Sequence, residues 1–174
     1  GHNTGVGHKA GRNITTGTEN TLIGALAGDA LTDVDYNTAI GKSALSTDTL
    51  GSKSTALGAY ALQTQNFTTA TDSHNTAIGN NAGGAVTTGT LNTLVGSLAG
   101  DALTVGGSNV SLGYFSLTAD TNGSKSVAVG TAALGDQNFT TATDAYNVAV
   151  GQEAGRSVTT GLGNTLTGGL AGDA

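Results

Sequence analysis

The sequence predicts an all-β chain, a parallel β-solenoid of about ten coils, and three observations carry that prediction. A five-residue segment with the form of Asn75-Thr76-Ala77-Ile78-Gly79 occurs ten times. The copies open at Asn3, Asn20, Asn37, Ser54, Asn75, Asn92, Asn109, Ser126, Asn147 and Asn164, so the steps run 17, 17, 17, 21, 17, 17, 17, 21, 17. Between the copies lie Gly, Asn and Thr in place of any helical apolar stripe, and Gly supplies 29 of 174 residues, which works against helix and for short strands with corners. A short period repeated this often means units that pack only on their neighbours.

A longer period lies over the short one. Four coils make 72 residues, and residues 1–72 match residues 73–144 at 42 of 72 positions. Gln65 to Asp72 returns unchanged at Gln137 to Asp144. Residues 1–174 therefore read as one array, with super-repeats at 3–74 and 75–146 and a partial one at 147–174. Neither end shows a cap over its strands, and the array is expected to continue, or to stack on something, at both ends.

Each column of the coil has a physical meaning. Position five is glycine in every copy: Gly7, Gly24, Gly41, Gly58, Gly79, Gly96, Gly113, Gly130, Gly151 and Gly168. A side chain is excluded there, by a positive φ or by the approach of another backbone. Position four is Val, Ile or Leu in nine copies, among them Ile23, Ile40, Ile78 and Val95, and its bulk suits a coil interior. Positions two to four make the strand, and a second, weaker strand is expected near position eight, where Ala dominates. Position three points opposite to position four, yet is also apolar, as at Leu22, Ala39, Ala56, Ala77 and Leu94. A strand apolar on both faces is buried on both. A thin solenoid has only one inside, so the other face is expected to meet a copy of the chain, making a homo-oligomer.

Composition narrows the function. Aromatic residues are 4% and hydrophobic residues 37%, too little bulk for an ordinary globular core of this length. The net charge of −6 disfavours nucleic acid and anionic membranes as partners, and no apolar run approaches the ~20 residues of a bilayer span, so no membrane insertion is expected. Cysteine is absent, which removes disulfide and thiol chemistry.

Chemistry-bearing residues fall into no site. Of His2, His8 and His74 only the first and last share a column, and ligand-type neighbours are missing, so no metal is expected. Asp29, Asp33 and Asp35 lack the dense Gly/Asp nonapeptide of a calcium roll and read as a corner turn. The histidines sit near corners away from any Ser-Asp pair, so no catalytic residues are assigned and the chain is read as a non-enzyme without cofactor. Two places remain as candidate binding loops. The 21-residue coils must extrude four residues, and they hold Phe67 and Thr68, repeated as Phe139 and Thr140; each Phe either recognises a partner or folds back over the coil end. Tyr114 and Phe115 replace Lys42 and Ser43 of the previous super-repeat and set aromatic surface on a loop.

Asn37-Thr38-Ala39-Ile40-Gly41-Lys42-Ser43-Ala44-Leu45, and Asn75 to Gly79 followed by Ala82-Gly83 and Thr87-Thr88-Gly89, resemble the repeats of phage tail-fibre and bacterial surface proteins. They also resemble, in a longer form, the head repeat of trimeric autotransporter adhesins. The resemblance spans the whole chain and implies a left-handed parallel β-roll, three chains about one axis, and an extracellular shaft on a virion or bacterial cell that serves attachment to a receptor or host surface. Adhesin-head blocks are shorter, so the cross-section is expected to differ. Two alternatives have other chemistry: a self-assembling extracellular filament, and an ice-binding solenoid with Thr ladders in columns two and thirteen.

Overall fold

The computed structural model describes residues 1–173, and they contain strands and turns with no helix. The fourteen strands are β1 (Thr4–Val6), β2 (Thr21–Ile23), β3 (Thr38–Ile40), β4 (Gly51–Ser52), β5 (Thr55–Leu57), β6 (Thr71–Asp72), β7 (Thr76–Ile78), β8 (Thr93–Val95), β9 (Val110–Leu112), β10 (Gly123–Ser124), β11 (Val127–Val129), β12 (Thr143–Asp144), β13 (Val148–Val150) and β14 (Thr165–Thr167). Ten of them, one per coil, form a single parallel sheet in the order β1-β2-β3-β5-β7-β8-β9-β11-β13-β14. Like columns pair with like: Thr38 lies beside Thr21 and Thr55, and Ile40 beside Ile23 and Leu57. The fold is thus a β-solenoid of about ten coils on a 17-residue spacing, with rungs ~4.8 Å apart.

Position three, not position four, faces the interior. Leu22, Ala39, Ala56, Ala77, Leu94, Ala128 and Ala149 are at most 1% exposed, whereas the position-four side chains point out, with Ile23 at 37%, Leu57 at 41% and Val150 at 39% exposure. Ile40, Ile78 and Val95, expected inside, are likewise half-exposed. The reason is volume. Position eight already lines the interior with Ala27, Ala44, Ala61, Ala82, Ala99, Ala133 and Ala154, and each coil adds only a few larger side chains, from position three, nine or twelve and, in coil two, also from Val34 at position fifteen. Leu22 and Leu31 fill coil two, Leu45 fills coil three, Leu62 coil four and Val86 coil five. Where position nine is glycine, its place is taken by those leucines: a Cβ on Gly28 would stand 2.6 Å from Leu31 Cδ1 and 2.8 Å from Leu22 Cδ2. Close packing of this kind leaves no room for a second branched side chain per strand.

The second strand expected near position eight does not form. The chain there turns repeatedly, with positive φ at position seven (Leu26, Ser43, Tyr60, Asn81) and at position nine even where it is leucine (Leu45, Leu62, Leu117, Leu134). Left-handed backbone in non-glycine residues is costly, and inter-coil hydrogen bonds offset it: Ser43 N–H donates to the Ala25 carbonyl and Tyr60 N–H to that of Lys42, both at 2.9 Å. The short pairs β4–β6 and β10–β12 occur instead at the corners where coils three and seven meet the 21-residue coils.

Both reasons for glycine at position five operate together. Gly41 has φ +136°, and a Cβ built on it would lie 2.5 Å from the carbonyl carbon and oxygen of Gly58 in the next coil. Position one supplies a second ladder, interrupted by Ser54 and Ser126. Asn37 is buried; its Nδ2 donates to the Gly51 carbonyl at 2.9 Å, its Oδ1 accepts the Ser54 backbone N–H at 2.8 Å, and its own N–H donates to Asn20 Oδ1. Asn92 and Asn109 repeat all three bonds and Asn75 the two made by its side chain, so these side chains splice neighbouring coils where the backbone alone leaves polar groups unmet.

Candidate functional site

Three features stand out on the surface: the outer face of the long sheet, the corners of the 21-residue coils, and an aromatic hollow on coils seven to nine. The outer face shows two side-chain columns. Position two is Thr in coils one to six and in coil ten, and Val at Val110, Val127 and Val148; position four is Val, Ile or Leu from Val6 to Val150. Because strands pair in register, the aliphatic column is continuous along the rod, half-exposed from rung to rung.

At the long coils the interior changes chemistry. Position twelve is apolar at Ile14, Leu31, Val86, Leu103 and Val158, but it is Asp48, Gln65, Asp120 and Gln137 in coils three, four, seven and eight. These four are buried. Asp48 accepts the Gly51 and Phe67 backbone N–H groups on Oδ1 and Gln65 Nε2 on Oδ2. Gln65 also donates to Ser54 Oγ and accepts from Asn75 Nδ2, restoring across the long coil the ladder that Ser54 interrupts. Asp120, Gln137, Ser126 and Asn147 reproduce the arrangement 72 residues on. A buried carboxylate meeting three donors is compensated, and the network ties the long coil to its neighbours. The only signal in the sequence was the polar switch in one column, which four-coil periodicity exposes.

Of the candidate loop residues, Phe67 and Phe139 turn inward, each 6% exposed, and close the corner that the extra residues open. Thr68 and Thr140 stand exposed at the corner, with Thr69, Ala70, Thr141 and Ala142. Across each corner runs an ion pair not foreseen from sequence, Lys53 with Asp72 and Lys125 with Asp144. Lys125 also meets Tyr146, whose hydroxyl is 3.1 Å from Nζ; hydrogen bonding to Asp144, then to Tyr146, pushes the Lys125 pKa up to about 12.

Tyr114 and Phe115 do form a surface group. The rings meet edge to face with centroids 4.2 Å apart, Tyr114 is 52% exposed, and both border an open hollow of about 260 Å³ whose other walls include Thr131, Ala132, Asp136 and Arg156. A second hollow, about 300 Å³, is the open interior at coil one beside Ile14 and Leu22. Among the described residues no three His, Asp or Glu side chains come together as metal ligands, and no helix is long and apolar enough to cross a membrane. Compared with protein-family models, with curated proteins and with solved structures, the chain matches none.

Proposed function

We propose that this chain is the structural shaft of an extracellular trimeric fibre, on a virion or a bacterial cell, that holds or contributes to an element attaching to a receptor or host surface. The observation that carries the reading is the outward aliphatic column at position four. A soluble monomer rarely presents a continuous apolar strip along its whole length. Burying the remaining exposed part of each Val, Ile or Leu adds about 0.5–1 kcal/mol per rung, and nine such rungs together are comparable to the cost of association. The elongated array, with polar interior ladders joining coil to coil, supports a load-bearing element.

Sedimentation equilibrium of the 174-residue chain tests this. A mass of three chains is expected, and Ile40→Asp with Ile78→Asp should give single chains with the β circular-dichroism spectrum kept, because neither residue fills the interior. A wild-type chain that sediments as a monomer at high micromolar concentration overturns the proposal. The half-exposed Thr column at position two favours a second reading, an ice-binding face; Val110, Val127 and Val148 interrupt it with residues suited to burial, and measured thermal hysteresis decides between the two.

A further inference from the structure

The hollow beside Tyr114 differs in kind from the rest of the surface. Although the two super-repeats agree at 42 of 72 positions, no residue lining this hollow is the one found 72 positions earlier. Tyr114 stands for Lys42, Phe115 for Ser43, Ala132 for Tyr60, Asp136 for Thr64 and Arg156 for Gly84. By contrast the exposed corner Thr68-Thr69-Ala70 is kept unchanged as Thr140-Thr141-Ala142, so exposure alone does not account for the divergence.

The earlier super-repeat shows what the surface holds in its own version. There the Lys42 ammonium lies 5.3 Å from the Tyr60 ring centroid, a cation over an aromatic face supplied within the chain. Lys125 stands over Tyr146 in the same way, at 5.1 Å. At the hollow the lysine is gone, the aromatic has moved one coil to the lysine's position, and Ala132 leaves empty the volume that Tyr60 fills. An aromatic pair remains without a cation. Arg156 is held by Glu153 at 3.1 Å, Asp101 accepts the Thr118 hydroxyl at 2.6 Å, and the Asp136 carboxylate is in no ion pair among the described residues. With the Arg156 guanidinium matched by Glu153, the Asp136 carboxylate is the one charge on the lining without an ion-pair partner among the described residues, in a shape open enough for a flexible alkyl chain.

We propose that this hollow is a docking site for a lysine side chain of a partner protein, its methylenes against Phe115 and Ala132 and its ammonium between the Tyr114 ring and the Asp136 carboxylate. The site is distinct from the sheet face used for self-association, since Tyr114 belongs to position six, beyond the glycine corner. Aromatic faces attract ammonium groups in this way, more strongly when a carboxylate is near, and a few convergent polar groups in a mostly apolar concavity are the usual form of a recognition site.

The test is titration of the intact chain with Nα-acetyl-lysine methylamide, followed by NMR of ring-labelled Tyr and Phe, with the norleucine analogue as a neutral probe of the same shape. Shifts confined to Tyr114 and Phe115, a dissociation constant in the millimolar range that weakens with salt, and binding about tenfold poorer for norleucine are expected. Tyr114→Lys and Asp136→Thr install residues that the chain already carries at the equivalent coil positions, so both should fold, and each should abolish the shift at Phe115. The proposal is overturned by absence of shifts at tens of millimolar probe, by equal response to norleucine, or by equal response at Tyr36 and Tyr146.

Discussion

Replacing Gly79 by alanine separates the two constraints on the glycine column. Gly79 has φ +137°, and an added Cβ would lie 2.5 Å from the Gly96 carbonyl oxygen, 2.6 Å from its carbon and 2.9 Å from the Ser97 nitrogen. All three are backbone atoms in the next coil and cannot swing aside, because Gly96 N–H is itself bonded to the Ile78 carbonyl at 2.8 Å. The strained φ costs about 1–3 kcal/mol and the forced overlap about 1–3 kcal/mol more, a total of about 2–6 kcal/mol. Gly168 is the internal control. It has φ +121° and nothing within 4 Å of an added Cβ, so Gly168→Ala should bear the strain alone, about 1–3 kcal/mol. Urea unfolding followed by circular dichroism at one fixed protein concentration gives both values. If Gly79→Ala is no more destabilising than Gly168→Ala, the inter-coil approach is not what requires glycine, and the account of the column fails.

Other substitutions test the remaining ladders. Asn92→Ala strands the buried Gly106 carbonyl and the Asn109 N–H, which Asn92 meets at 2.9 and 3.0 Å, and should cost about 2–6 kcal/mol in urea unfolding, against well under about 1 kcal/mol for exposed Thr93→Ala. Phe67→Ala removes a ring that is 6% exposed and should cost about 3–5 kcal/mol; a change below about 1 kcal/mol would mean that the ring does not close the corner. Lys125, with its pKa pushed up to about 12, should still hold its proton at about pH 11 by NMR of the Cε–Nζ group, and Asp144→Asn should move its midpoint toward 10.5. Because this pKa is raised in the folded chain, any stabilisation from the pair is complete below pH 10.5 and fades as pH climbs toward about 12.

How much could be read from the sequence depends on what set each feature. The coil number, the parallel stacking and the glycine column follow from periodicity, because register repeats whatever fixes position five. The two faces of the strand were assigned in reverse. Both Ala39 and Ile40 are apolar, and which one is inside depends on interior volume, a property of the closed coil set by Ala44 and Leu45 as much as by the strand. Turns around position eight mimicked a strand because Ala there is buried for packing with a left-handed neighbour, and no residue preference marks a φ of +52° at Leu45. The long corners left Phe67 open between display and burial; Gly51 decides it, since its missing side chain is where the ring and Asp48 lie. The aromatic group at Tyr114 was visible, but its charged surroundings were not, because Asp136 and Arg156 reach it from later coils.

The long coils have one further consequence. Thr55 pairs with Thr76, and Val127 with Val148, so the strands on either side of each surplus segment keep column with column. Segment length at Thr68 to Ala70 is therefore decoupled from the pitch of the rod. A guest peptide spliced between Thr69 and Ala70, and again between Thr141 and Ala142, would hang from the same edge at intervals on the order of 19 Å, four rungs apart. The molecule thereby offers a ruled edge for spacing foreign epitopes or binding modules, with its winding left undisturbed.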